Sequence, residues 1–190
     1  MDQRRLIRFL NAIEKLKCNT RHSWTSSGRQ ESVAEHSWRL AVAAMLCGDE
    51  FPEADMEKLL KMCLIHDFGE AITGDVPSFY KTASDERDEK SAVAQLLELL
   101  PESSAGELAA LFDEMEKNET IEAKLCRALD KMETLVSHNE ADISTWLPIE
   151  YTENLVYGQK EVDFAEWTQR LKDEIKRDSV EKMNETKNGG

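Results

Sequence analysis

Residues 56–65 form the most apolar run in the chain, and the run ends in His66-Asp67, with Glu70 three residues further on. On a helical wheel Met56, Leu59, Leu60 and Cys63 take one side, while Met62, Leu64 and Ile65 fill most of the rest. A helix that is apolar nearly all round is a buried one. A core helix is therefore expected from about Asp55 to Glu70. Charge buried without a partner is costly, so an imidazole and two carboxylates at the end of such a helix should pair or hold a metal. His66 and Glu70 are four apart and share a face, with Asp67 about a third of a turn round. Three ligand or acid/base groups thus meet at the mouth of a core helix.

The frame around this helix is expected to be helical too. At 190 residues one domain is the default. With only 8 Gly and 4 Pro, breakers are scarce and good helix formers abundant. This points to an all-α, single-domain bundle of about six to seven helices over residues 1–176. A polar tail, 177–190, should fray. The net charge of −14 argues against a nucleic-acid polymer as partner, since phosphate backbones are held by basic surface. It leaves room for a small anionic ligand where a metal or local cations offset the field. Cys18, Cys47, Cys63 and Cys126 are dispersed, without a CxxC pair, and read as reduced thiols of a cytoplasmic protein. No run reaches membrane-spanning length, so no membrane partner is expected.

Along the chain, residues 3–17 read as a helix with Leu6, Leu10, Ile13 and Leu16 in one stripe. Residues 18–31 read as an irregular polar connection in which Arg21 and Trp24 could flank a ligand. Ser32-Val33-Ala34-Glu35 is a capping box. The helix it starts carries Val33, His36, Leu40, Ala44 and Cys47 inward, which puts His36 on the buried side. Asp75 falls in a turn beyond Glu70. Further helices are expected from Ser84, from the cap at Ser104 and from Glu119 to about Ser137. On the last of these Asp130 lies on a face of small residues with Ala123, Cys126 and Thr134, placed like a site residue. Residues 138–160 have no clear period and read as an ordered loop. Asp163-Phe164-Ala165-Glu166 caps a final helix with Phe164, Trp167, Leu171 and Ile175 inward.

Two imidazoles and two carboxylates, His36, His66, Asp67 and Asp130, suit a borderline divalent ion such as Mn, Co, Fe, Ni or Zn. This H…HD…D order resembles the HD-domain superfamily of metal-dependent phosphohydrolases, helical bundles built around that pattern. Glu31-Ser32-Val33-Ala34-Glu35-His36-Ser37, His66-Asp67-x-x-Glu70 and Thr73-Gly74-Asp75-Val76-Pro77 look like the motifs of the HD-domain 5′-deoxynucleotidases. The resemblance runs from about residue 3 to 175. It implies hydrolysis of deoxyribonucleoside 5′-monophosphates and one divalent ion on His36, His66, Asp67 and Asp130. It also implies catalytic carboxylates at Glu70 and Asp75, substrate contacts from Arg21 and Trp24, and a homodimer. Some family members have the Arg and Trp adjacent; here His22 and Ser23 separate them.

Other readings carry different signatures. An HD-type phosphodiesterase or alarmone hydrolase would call for more cationic loops. An HD-fold di-iron oxygenase needs further His ligands, and the two histidines left over, His22 and His138, do not form a helical ligand pair. A non-catalytic helical binding protein would leave His36 and Asp130 unexplained.

Overall fold

The computed structural model describes residues 2–188. Helix α1 (Gln3–Ile13), capped by Asp2, passes into a short 3₁₀ turn at Glu14–Lys17. The stretch expected to be irregular instead forms an antiparallel hairpin, β1 (Thr20–Trp24) with β2 (Gln30–Ser32). Its turn is built from Ser26, Ser27 and Gly28, residue types that permit a tight reversal. Helix α2 (Val33–Leu46) opens with the expected capping box: Ser32 and Glu35 each bond the other's backbone N–H.

The expected core helix is two helices. α3 (Met56–Ile65) and α4 (Glu70–Thr73) are separated by a turn at residues 66–69. α5 (Ala83–Leu97) follows a Thr82–Asp85 capping box. α6 (Glu102–Lys117) starts behind Pro101, two residues ahead of the cap expected at Ser104. α7 (Ile121–Glu140) runs past Ser137, so His138 is helical. Residues 138–160, expected as an ordered loop, are partly helical: α7 runs on to Glu140, and two four-residue helices follow, α8 (Glu150–Glu153) and α9 (Gln159–Val162). α10 (Glu166–Asn188) continues as helix through the segment expected to fray, with Ser179 fully buried; residues 189 and 190 lie outside the described residues. Among the described residues, seven helices of ten residues or more match the expected bundle, and α4, α8 and α9 raise the count above it.

Two apolar clusters hold the bundle. The larger joins Leu40 and Ala44 of α2, Leu59, Met62 and Cys63 of α3, and Leu125, Leu129, Met132 and Leu135 of α7. The smaller joins Phe9, Leu16, Val33, Ala71, Leu96, Leu97 and Leu100. Phe68 packs against both, so the turn carrying His66 and Asp67 sits at their junction. α3 is less enclosed than its composition implies: Leu64 is 50% exposed. Cys47, Cys63 and Cys126 are buried free thiols and Cys18 is exposed.

Candidate metal centre and active site

The turn after α3 is what aims the site. The His66 N–H still bonds Met62 O, but Phe68 N–H then bonds Ile65 O and Glu70 N–H bonds Asp67 O. These tighter i→i+3 bonds break the α-helical register, so His66 and Asp67 turn out of α3 instead of following its buried face. Gly69 lets the turn press on α5: a Cβ there would lie 2.9 Å from Glu89 O.

Four side chains from α2, this turn and α7 converge. His36 Nε2 lies 3.2 Å from His66 Nε2 and 3.2 Å from Asp130 Oδ1. His66 Nε2 lies 3.1 Å from Asp67 Oδ2 and 3.9 Å from Asp130 Oδ1, and His36 Nε2 lies 3.8 Å from Asp67 Oδ2. Donors bound to one ion at about 2.1 Å are about 3 Å apart when adjacent and about 4.2 Å when opposite. The observed separations fall within that span. The rings are also set for it. His36 Nδ1 contacts Glu133 Oε2, and His66 Nδ1 lies 2.9 Å from the Cys63 carbonyl. A proton on each Nδ1 leaves both Nε2 lone pairs facing the shared point. The donor set therefore fits a borderline divalent cation.

The electrostatics agree. Burial raises the Asp67 carboxyl, but His66 and His36 outweigh it and hold Asp67 below the usual carboxylate range. Burial likewise opposes ionisation of Asp130, while Lys131, His36 and His66 hold it low. The same pairing raises both imidazoles against burial, His66 to about 10, so two charged carboxylates face two rings whose Nε2 protons a cation would displace. Glu70 differs. It is 5% exposed and its Oε2 has no hydrogen-bond partner. Burial, then the charges of Asp67 and Asp75, push its carboxyl up to about 10. Asp75 is raised too, by burial first, with the Arg21 charge opposing.

His66, Asp67, Glu70 and Asp130 line one end of a cleft of about 670 Å³ between α5, α6 and α7. Sites for small molecules span about 300–1,000 Å³. Lys81, Lys90, Arg127 and Lys131 add cations to its wall. Gly158, at φ +76°, lets its loop close over Lys131, where a Cβ would lie 2.7 Å from Lys131 Cβ. Arg21, Trp24 and Asp75 are not among the described residues lining this cleft. Arg21 is buried behind the donors. Its guanidinium donates to Glu31 and Glu133 at 3.3 Å and to Thr134 Oγ1 at 2.9 Å. The charges of Asp67 and Asp130 also reach it. Trp24 is half-buried at the end of β1.

Sequence reasoning missed several residues here. Glu133 anchors His36 and also bonds Arg39 at 2.7 Å. Its signal was present, since it stands one helical turn beyond Asp130. His22 and His138, far apart in sequence, meet around Glu150. No spacing rule signals that meeting, because the hairpin brings it about.

Residues 13–172 match the HD domain family. The chain belongs to the HD domain family. As an HD-domain protein it is 35% identical over 141 residues to the 5′-deoxynucleotidase HDDC2 of Bos taurus, covering 72% of this chain and 68% of that protein. It is 31% identical to the 5′-deoxynucleotidase hdd1 of Schizosaccharomyces pombe, covering 74% of this chain and 79% of the other. Among solved structures, a predicted metal-dependent phosphohydrolase from Magnetospirillum magnetotacticum MS-1 superposes with a TM-score of 0.79 at 30% identity, covering 96% and 93% of the two chains. The helical HD-domain fold and the resemblance to HD-domain 5′-deoxynucleotidases, both expected from the sequence, are borne out.

Proposed function

We propose that this HD-domain protein hydrolyses deoxyribonucleoside 5′-monophosphates to deoxynucleoside and phosphate. The observation that carries this reading is the convergence of His36, His66, Asp67 and Asp130, the last three on the wall of a cleft, with a buried Glu70 beside them whose Oε2 has no partner. Its relatives named 5′-deoxynucleotidases support the substrate class. His36, His66, Asp67 and Asp130 would hold one divalent ion, with Mn, Co, Fe, Ni and Zn all compatible with the set. Such an ion supplies a Lewis acid that offsets phosphate charge and lowers the pKa of water.

The chain's own groups do the rest. Glu70 would take the proton of the attacking water once a cation on the neighbouring donors offsets the Asp67 charge that, with burial, holds its carboxyl up to about 10. Asp75 positions that water or returns a proton toward the departing 5′ oxygen, since its carboxyl is also raised. Arg21 acts mainly through its charge, because two of its nitrogens are committed to Glu31, Glu133 and Thr134. Lys81 and Lys131 on the cleft wall are ion-paired to Glu89 at 2.6 Å and Asp130 at 2.9 Å, and the wall's carboxylates outnumber its cations, so most of the offset to phosphate charge would fall to the divalent ion. Trp24 lies outside the cleft wall, and its role in disfavouring a 2′ hydroxyl rests on the family resemblance alone. A homodimer is the working assembly, with α2 offering the contact face.

The test is phosphate release from a panel of 5′-dNMPs, 5′-NMPs, 3′-monophosphates and cyclic nucleotides. It uses chelator-stripped protein with Mn, Co or Mg restored. The expected result is metal-dependent release from 5′-dNMPs and little from 5′-NMPs, with the preference relaxed in Trp24→Ala. Asp67→Ala should lose both metal and turnover, while Glu70→Gln keeps metal and loses about 10²–10⁴ in rate. Release confined to 3′ or cyclic substrates would overturn the reading.

A further inference from the structure

A second set of metal-type donors converges on residues that the proposed reaction leaves unused. His22 of β1, His138 near the end of α7 and Glu150 at the start of α8 each bring one ligand atom to within 4.8 Å of the others. Glu150 Oε1 lies 2.8 Å from His22 Nε2 and 3.4 Å from His138 Nε2. Donors that share a tetrahedral ion at about 2.1 Å are about 3.4 Å apart. The groups behind these atoms are fixed. Glu150 Oε2 accepts from the Leu147 N–H at 2.6 Å, which leaves Oε1 for the two rings. His138 Nδ1 lies 3.1 Å from Asn154 Oδ1, and Lys172 Nζ donates to the Asn154 carbonyl. The His22 ring is wedged edge-on between Phe79 and His138.

The deciding atom is His138 Nε2. The residue is 5% exposed, and this nitrogen is buried without a hydrogen-bond partner. With Asn154 Oδ1 turned to its Nδ1, and Asn154 Nδ2 left without a partner, the proton belongs on Nδ1 and Nε2 carries a lone pair that faces a carboxylate oxygen. Two buried acceptors set against each other repel, and buried polar atoms are seldom left so. A cation between them turns the repulsion into coordination.

We propose that His22, His138 and Glu150 form a second, structural metal site, distinct from the donors of the HD turn. Two imidazoles and one carboxylate suit Zn²⁺ or Co²⁺ rather than Mg²⁺ or Ca²⁺. The ion would tie β1, α7 and α8 together and so brace the strand that carries Arg21. His22, with a side chain 20% exposed against 7% and 3% for the others, is the side open to solvent. The site stands on its own donors and does not depend on the substrate proposed above.

The test uses the full chain, stripped with chelator and reloaded with Zn²⁺ or Co²⁺. Wild type is expected to bind one equivalent more than His22→Asn. Asp67→Ala, with its first site broken, should keep an equivalent that the double variant Asp67→Ala/His22→Asn lacks. The Co²⁺ difference spectrum between those two should show the intense visible bands of a four-coordinate ion. Zn²⁺ should raise the thermal midpoint of Asp67→Ala and leave the double variant unmoved. His138→Gln provides a second removal of one donor, with helical circular dichroism as the check on folding. Equal metal content in wild type and His22→Asn, or a Zn²⁺ response in Asp67→Ala that survives loss of His22, overturns the site.

Discussion

His36 is fully buried and has little freedom except as a fixed donor. Its Nδ1 is held by Glu133, which is itself gripped by Arg21 and Arg39. Burial raises the Glu133 carboxyl, but His36, Arg21 and Arg39 outweigh it and hold it at about 2, so it stays an acceptor across ordinary pH. Losing such a partner typically weakens metal affinity about 10–100-fold by freeing the ring and its tautomer. Glu133→Gln is therefore expected to lower divalent affinity by that factor, read by chelator competition, with the helical signal retained. Unchanged affinity would show that His36 needs no anchor.

At the scale of elements, the break between α3 and α4 decides the chemistry. A continuous α-helix would have kept the HD pair in the register of a core face. The tightened turn, packed on α5 through Gly69, swings the pair toward the cleft. α10 holds a different conflict. Lys172 is 1% exposed, and its only described hydrogen bond is to the Asn154 carbonyl at 3.4 Å. Burial lowers its ammonium from 10.5 to about 8, with Lys176 adding to the effect. Between those two values the unfolded chain binds more protons than the folded one, so stability rises with pH across that window. Below pH 8 the cost of burying the charge is fully present. Lys172→Met is therefore expected to stabilise the protein by about 1–3 kcal/mol at pH 7. The advantage should shrink as pH rises from 8 to 10.5, as read from urea midpoints. A variant less stable than wild type at pH 7 would refute this.

On the scale of the whole molecule, two apolar clusters meet at the HD turn, so the site is braced from both sides. No helix among the described residues is long and apolar enough to cross a membrane. Trp38, Met45 and Leu46 are exposed on α2, where their spacing puts them along one stripe. Apolar surface of that kind suits a contact with a second copy. Wild type is expected to sediment as a dimer, and Trp38→Glu with Leu46→Glu as a monomer. A wild-type monomer at micromolar concentration would remove the dimer.

The capping box at Ser32, the inward stripe of His36, the placement of Asp130 and the HD pair were legible from the sequence. Each depends on short-range periodicity or hydrogen bonding that a local pattern encodes. They sufficed for a helical HD-type bundle and for a candidate set of four donors. The hairpin, the split of the core helix and the His22–His138–Glu150 cluster were not legible. The split depends on α5 pressing against Gly69, and the cluster on β1 lying against α7. The sequence alone named His36 by its inward helical stripe and the HD pair by its place at the end of an apolar run. Which groups brace them, Glu133 of α7 against His36 of α2 with Arg39 gripping it, was decided by packing between distant segments, to which local periodicity is blind.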